Sequence, residues 1–419
     1  MQYAQLCQWI DQRQNELYDL LCRLIRINSE NFGSHGNEEE CPVYIADLCR
    51  ELGLETSLYS PMELEGFTAH PDYMDGRHLE NRYNVTAIWK GETDTNGLML
   101  MGHSDTEVIG DRNLWTVEPL AGIVQDGKIW GRGACDDKYA LAAVLFLLKV
   151  LKENGFQPKE NLLFTAYCDE EKGGSHGALA SVLRYPAKRL INMDCKNFEI
   201  WQAASGGGCV KYRYHVDTPL DSCRRTVDAM PIVLEVLDQF GRLRRTELEQ
   251  NRFYAGTIIP GTALRLFSTR TGGGGNDLNV GELTFSFYTD RTKAEILTEF
   301  AEMEAELRRK LEPMGVVSDG FRFTTRFFHY GYTEPDCLPI TDLQEVARKV
   351  SGRELKPCGS CLSDLSILLV NGGHNAFSFG IGRDFNAYGG AHQPDEWIAC
   401  DDLLEYTKII GAYILKVLQ

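Results

Sequence analysis

The sequence predicts an α/β chain in which a sheet with helices on both faces is interrupted by an inserted α+β domain. Three observations carry that expectation. Between residues 84 and 195, apolar runs of strand length alternate with amphipathic helical stretches, the texture of βαβ units. From about residue 206 the texture changes to polar and apolar alternation, as in GGGCVKYRYHVDT, which suits a sheet with one solvated face. After TEPDCLP the strand and helix alternation returns, so the first domain is expected to be interrupted and then completed. The boundaries implied are 1–205 with 331–419 for the first domain and 206–330 for the insert.

The N-terminal MQYAQLCQWIDQRQNELYDLLCRLIRI spaces its apolar residues helically and is charged throughout. It reads as one amphipathic helix, without the basic segment and uninterrupted apolar run of a secretory leader. NVTAIWKG and LMLMGHSD predict strands, DKYALAAVLFLLKVLKENG a long helix stopped by Gly155, NLLFTAYC a strand, SHGALASVLR a helix and RLINMDC a strand. In the insert, TVDAMPIVLEVLDQFGRL predicts a helix, ELTFSFYTDR a strand and KAEILTEFAEMEAELRRKLE a second helix. A βαββαβ-like unit accommodates them. LQEVARKVSG, SDLSILLV, HNAFSFGIG and the helix DDLLEYTKIIGAYILKVL close the chain. GGGG at 272–275 is the one low-complexity tract, and no repeat of fixed period occurs.

At 419 residues the chain has material for two or more domains, and 43% hydrophobic with 25% charged residues marks an ordinary globular protein. The net charge of −17, from 60 acidic residues against 43 Lys and Arg, repels phosphate backbones and anionic membranes. Neither nucleic acid nor membrane is expected as a partner, and no apolar run of about 18 residues suggests a membrane helix. Thirteen scattered cysteines, an odd number, point to reduced thiols in a cytoplasm. Cys358 and Cys361 form one C-x-x-C with no second pair to complete a zinc site, so they read as loop thiols.

Chemistry-bearing residues gather at strand ends. His103 and Asp105 follow LMLMG, Asp169, Glu170 and Glu171 follow LLFTAYC, and Asp194 follows RLINM. In open parallel sheets the carboxyl edge is where ligands bind, so these side chains are expected to converge. Asp136 in GRGACDDK and His392 in GGAHQPDEW enlarge the set to two imidazoles and several carboxylates. So many like charges are costly together unless a cation compensates them. Nitrogen and oxygen donors without thiolates suit zinc, manganese or cobalt, and the inventory matches a two-ion site with a bridging carboxylate.

A rival lies in the same stretch, since GGSHG matches the G-x-S-x-G elbow, with Asp364 and His392 following Ser175 in α/β-hydrolase order. Six residues, DEEKGG, separate Ser175 from its strand end, whereas an elbow puts its serine on the turn itself, so a helix entry capped by Ser175 is the plainer reading. GRGACD also opens like a dinucleotide fingerprint, but Asp136 replaces the third glycine and would repel pyrophosphate.

Taken in order, MGHSDTEVIGDRNLWTVEPLAGIVQDGKIWGRGACDDK, CDEEKGGSHGALA and GGAHQPDEWI resemble the successive motifs of the M20 metallopeptidase family. That family includes acetylornithine deacetylases, succinyl-diaminopimelate desuccinylases, dipeptidases and carboxypeptidases. The resemblance implies a zinc-peptidase-like catalytic domain with a mixed sheet, interrupted by a ferredoxin-like lid domain that often dimerises. It assigns His103, Asp136 as the bridge, Glu171, Asp194 and His392 to two divalent ions, Asp105 to orienting the His103 imidazole and Glu170 to the general base. Asp169 receives no role beyond loop or support. A metal-bound hydroxide would then attack an amide beside a free carboxylate, in a short peptide or an N-acyl amino acid, with Glu170 carrying the proton.

TGGGGNDLNVGELTFSFYTDR resembles the family's substrate-binding lid stretch, which makes Asn279 and Arg291 candidates for the substrate. An ion pair of Arg291 with Asp290 or Glu295 is the bland alternative. Departures exist: VDTPLDSCRRTVDAM lacks the lid histidine, His215 lies too early, and Asp137 and Tyr139 stand where the family has a hydrophobic residue and glycine. Cys135, Cys168 and Cys195 near the ligands could oxidise or capture soft metals. Beside the hydrolase, a silent relative that binds a peptide or amino acid stays open.

Overall fold

The computed structural model describes residues 1–217, 221–255, 263–272, 279–373 and 375–419. The chain begins with α1 (Tyr3–Gln12), α2 (Gln14–Arg26) and α3 (Glu40–Glu51), then β1 (Glu55–Tyr59), β2 (Asn84–Trp89), β3 (Asn96–His103), β4 (Ile123–Gln125) and β5 (Lys128–Trp130). Next come α4 (Lys138–Glu153), β6 (Asn161–Tyr167), α5 (His176–Arg184), β7 (Leu190–Asn192) and β8 (Ile200–Ala204). The insert contributes β9 (Gly206–Val216), α6 (Ser222–Gln250), β10 (Leu264–Gly272), β11 (Asn279–Thr289), α7 (Lys293–Leu311) and β12 (Val317–Phe323). The chain closes with β13 (Gly331–Tyr332), α8 (Leu338–Ser351), β14 (Pro357–Gly359), α9 (Leu365–Asn371), β15 (Ala376–Phe379), β16 (Trp397–Ala399) and α10 (Cys400–Leu418).

Two compact units result. One comprises Met1–Gln202, Tyr332–Cys358 and Ile367–Gln419; the other Ala203–Gly331 and Gly359–Ser366. In the first unit the strand neighbours run β1-β2-β6-β3-β7-β15-β8. The pairs β3 with β6, β3 with β7 and β7 with β15 are parallel, whereas β1 with β2, β2 with β6 and β15 with β8 are antiparallel. The sheet is therefore mixed, as expected. Its middle strands are apolar on both faces, and β2 and β6 are buried along their whole length, as strands covered on both faces must be. Helix α4 is buried almost all round, from Lys138 to Leu148 and again at Val150 and Leu151, which is why its sequence shows little polar face.

The parallel register fixes where the site lies. His103 pairs with Tyr167 and Met101 with Asn192, so the turns after β3, β6 and β7 leave one edge of the sheet side by side. The strand ends named from sequence thus meet.

The second unit has the order β9-α6-β10-β11-α7-β12, and its four antiparallel strands line up β10-β11-β9-β12, a ferredoxin-like arrangement. Val210, Tyr212, Tyr214 and Val216 of β9 join Leu283, Phe285 and Phe287 of β11 under Val233, Phe240, Ile296 and Phe300 of the helices. Period-two alternation turns Arg213 outward to solvent from the same strand.

One expected element differs. The N-terminal helix is two helices broken at Arg13, whose φ of −119° is not helical and whose guanidinium is spent on Glu16 and Glu153. The glycine tract at 272–275 lies outside the described residues from 273 onward, as do 218–220 of the VDTPLDSCRRTVDAM stretch.

Candidate active site

The turn after β3 places His103, Asp105 and Glu107 at the sheet edge. The His103 imidazole is fully buried; Nδ1 donates to the Asp105 backbone carbonyl at 2.9 Å, which turns Nε2 toward Asp136 Oδ1 at 3.0 Å. The Asp105 carboxylate does different work from the orienting role expected of it. It stands 3.7 Å from His103 Nδ1, beyond a hydrogen bond, and accepts instead from Glu170 N (3.0 Å), Glu171 N (3.1 Å) and Asn31 Nδ2 (2.8 Å). Asp105 orients the imidazole through its main chain and the Glu170-Glu171 turn through its side chain.

That turn is built by Asp169, whose φ of +64° is left-handed. Asp169 Oδ1 accepts from Arg82 at 2.8 Å, Oδ2 faces His176 Nδ1 at 2.6 Å, and its N–H donates to Glu38 Oε2 at 3.0 Å. Its carbonyl accepts from Ser175 N at 2.7 Å, closing the loop. Gly174 packs so tightly on the Asp169 carboxylate that a Cβ would overlap it. Burial alone would raise the Asp169 pKa, yet His176 and the two guanidinia of Arg82 and Arg77 hold it below the usual range. Glu38, also paired with Arg82, goes the other way: burial and its neighbours Asp105 and Asp169 push it well up. Arg82 compensates one carboxylate fully, not two.

Asp136 enters from the loop before α4. The peptide between Asp136 and Asp137 is cis. Lys138 anchors the loop: its buried ammonium donates to the carbonyls of Leu24 (3.0 Å) and Ile27 (2.7 Å) at the end of α2, where the helix dipole favours a cation. On the other side Glu396 accepts from Cys135 N at 2.8 Å and pairs with buried Arg132 at 2.6 Å.

His392 arrives from the loop before β16, with a left-handed φ of +62°. Its Nε2 lies 3.2 Å from Asp136 Oδ2 and 2.7 Å from Glu171 Oε2. Asp136 therefore offers one oxygen to each imidazole. Burial disfavours both imidazolium ions, but Asp136 beside His103, and Glu171 with Asp136 beside His392, hold both pKa values well above the ordinary imidazole. Burial likewise opposes ionisation of Asp136, and the two histidines outweigh it, so its pKa is lowered. Burial raises Glu171. A divalent cation bound among these donors would supply the positive charge that the carboxylates demand.

Two groups of donor atoms, each within 4.8 Å of one another, occur among the described residues: His103, Asp136 and Glu171; and Glu107, Glu171 and His392. Four of the five expected ligands are thus gathered. Asp194 follows β7 and its charge is felt at Asp137, but it joins neither group. The Glu170 amide is held by the Asp105 carboxylate, and the charge of Glu170 is felt at His103.

Asn279 and Arg291 sit in the second unit, at the two ends of β11. The ten residue steps of β11 at about 3.4 Å span roughly 34 Å and Arg291 lies two residues past its end, so one small ligand does not bridge the pair within a chain. Arg291 pairs with Glu247 (2.5 Å) and Glu299 (3.0 Å), rather than with the Asp290 or Glu295 of the sequence reading, and Asn279 donates to Ser222. His215 is taken by Asp319 and Asp217, each at 2.9 Å.

Ser175 occupies the N-cap position of α5 but makes no side-chain cap hydrogen bond, because its left-handed φ of +56° belongs to the Asp169 loop. His392, the histidine the elbow reading needs, is held by Asp136 and Glu171. Burial raises the thiols of Cys135, Cys168 and Cys195, which disfavours the thiolate that oxidation or metal capture requires. Cys358, raised to about 12 by burial, stands 3.9 Å from Glu199 and, like Cys361, joins no donor group. Asp137 is fully buried in the position where the family has a hydrophobic residue, and burial, with Asp194 and Asp136 nearby, pushes its pKa well up against the opposing pull of His103. Tyr139 fills the other departure, its hydroxyl donating to the Met193 carbonyl at 2.7 Å.

Sequence reasoning missed Glu107, Glu38, Arg82, Asn31 and His176. Glu107 lay in the quoted HSDTE, and His176 next to the serine that drew notice; the other three come from segments with no motif.

A mixed α/β unit whose central strand ends deliver imidazoles and carboxylates to one cation-demanding cluster is the architecture of a metallohydrolase. The chain belongs to that class by descent: residues 99–416 match the model of peptidase family M20/M25/M40, and this protein is a member of it. It is 24% identical over 426 residues to an uncharacterized metallohydrolase of Methanocaldococcus jannaschii, covering 92% of this chain and 95% of that one. Among solved structures, human carnosine dipeptidase 1 superposes with a TM-score of 0.71 at 14% identity, over 99% of both chains. Bacillus subtilis YXEP, described as a dinuclear metal binding peptidase from the M20 family, does so with 0.62 at 14% identity, over 97% of this chain and 99% of its own. The protein is therefore a metal-binding hydrolase of the M20 peptidase and deacylase group.

Proposed function

We propose that the chain is a two-ion amidohydrolase acting on a short peptide or N-acyl amino acid beside a free carboxylate. The observation that carries this reading is Asp136, with one oxygen on His103 and the other on His392, the placement a bridging carboxylate needs. His103 and Asp194 would hold one ion with Asp136, and Glu171 with His392 the other; Asp194 is included because it follows β7, the neighbour of β3. Zinc, manganese or cobalt suits these donors. Bound there, the ions would acidify water and polarise an amide carbonyl. Glu170 takes the proton of the attacking water and returns it to the leaving amine. The Asp105 clamp on the Glu170 and Glu171 amides holds the turn that carries that carboxylate. Taking a substrate carboxylate requires Arg291 to exchange Glu247 or Glu299 for it.

The edge strand β10, with Leu266 and Phe267 exposed, supports a homodimer through the second unit. The free thiols of all thirteen cysteines support a cytoplasmic setting. No described helix is long and apolar enough to cross a membrane.

Elemental analysis of protein purified without chelator tests the reading, followed by turnover of dipeptides and N-acyl amino acids. Two ions per chain are expected, with turnover that chelation abolishes, that Glu170→Gln cuts by roughly 10²- to 10⁴-fold and that Ser175→Ala retains. Metal binding without turnover of any such substrate would favour the silent binder. Chelator-resistant turnover lost in Ser175→Ala would overturn the metal reading.

A further inference from the structure

Each imidazole at the site presents one nitrogen to the carboxylate cluster, which leaves the other to be satisfied. For His103 the Asp105 carbonyl does this. For His392 the group at that side is Glu107, whose Oε2 lies 3.9 Å from Nδ1 while Nε2 faces Glu171 and Asp136. We propose that Glu107 is a positioning residue for the second ion: its carboxylate accepts a hydrogen bond from the Nδ1–H of His392, fixing the tautomer that aims the Nε2 lone pair at the metal. The inference rests on the two-ion reading above.

Three features of Glu107 suit it to this work. Its other oxygen, Oε1, accepts from Val108 N at 2.9 Å and pairs with Lys172, so the carboxylate is held from the side away from the ring. The remaining gap exceeds an N–H···O bond by about 1 Å, within reach of a small side-chain rotation. Its backbone N–H donates to Glu171 Oε1 at 2.6 Å, leaving Oε2 on His392. One residue thus steers both side chains assigned to the second ion. A carboxylate behind a metal-bound imidazole also raises its basicity, and losing such a partner typically costs about 10- to 100-fold in metal affinity.

The test is a Co²⁺ titration of the metal-stripped full chain, followed by visible absorption and calorimetry, on wild type, Glu107→Gln and Glu107→Asp. Circular dichroism checks the fold. Wild type is expected to take two ions. Glu107→Gln should weaken one of them by about 10- to 100-fold and shift its absorption band while leaving the other unchanged. Glu107→Asp, which keeps the charge on a shorter arm, should lose less, and it carries the test alone if the glutamine variant does not fold. Unchanged affinity, or equal weakening of both ions, overturns the positioning role. So does outright loss of one ion, which would make Glu107 a ligand. Wild type that binds no second ion overturns the two-ion reading, and the inference with it.

Discussion

Asp105→Asn separates two accounts of one residue. If the carboxylate chiefly orients His103, the substitution weakens metal uptake and leaves the Glu170-Glu171 turn as it was. The geometry says otherwise. The fully buried Asp105 carboxylate accepts three hydrogen bonds, from the amides of Glu170 and Glu171 and from Asn31. An asparagine oxygen can replace Oδ2, but the charge is gone and the new NH₂ points at Glu170 N, which lies 3.2 Å from Oδ1. Hydrogen bonds to a charged acceptor contribute about 1.5–3 kcal/mol and neutral ones about 0.5–1.5, so the three together lose about 3 kcal/mol. At about 1.4 kcal/mol per decade, the turn should open roughly 150-fold more often. Hydrogen exchange by mass spectrometry on the peptide spanning 166–174 reads this directly, since local opening governs amide exchange. A change of less than about fivefold in the Glu170 and Glu171 amides would refute the clamp, whatever happens to metal uptake.

Two further outcomes follow from the same structure. All six tryptophans lie in the first unit, so their fluorescence reports its unfolding alone. Glu38 has a raised folded pKa, so ionising it costs stability that is intact below about pH 4.5 and lost as pH rises toward the folded value, with a slope of at most about 1.4 kcal/mol per pH unit. Asp169, with a lowered pKa, contributes stability present above about pH 4 and lost as pH falls further. Urea midpoints should therefore show Glu38→Gln gaining on wild type between pH 5 and pH 8, and parallel curves would contradict the assignment. For the dimer, Phe267, 52% exposed on the β10 edge, is the residue to charge. Light scattering should show dimeric wild type and monomeric Phe267→Lys; monomeric wild type at micromolar concentration would remove the proposal.

What could be read from the sequence was whatever a strand end announces. His103, Glu170 and Glu171 each follow an apolar run, and parallel neighbours deliver their ends to one edge, so convergence required only the strand pattern. Asp136 and His392 were legible through their motifs, because loops give no periodicity to read. Glu38, Arg82 and Asn31 reach the site from segments distant in sequence, and nothing local distinguishes a buried Arg82 from a surface arginine. Asn279 and Arg291 were named from a motif, and a motif does not show that a strand of eleven residues separates the first from the turn that holds the second. The break at Arg13 escaped because helical spacing continues across it, and ion pairs with Glu16 and Glu153 are tertiary facts.

Lys138 gives the N-terminal helices a meaning that their position in the chain conceals. Its ammonium is fully buried and is satisfied by two carbonyls at the end of α2, just two residues beyond Asp136. A chain trimmed to begin at Asn28 would strand that cation under the loop carrying the central carboxylate. The second helix is thus a wedge beneath the loop that carries Asp136, and because Leu17, Leu21, Leu24 and Ile25 also pack in the core, its loss would be felt in the fold and the site together.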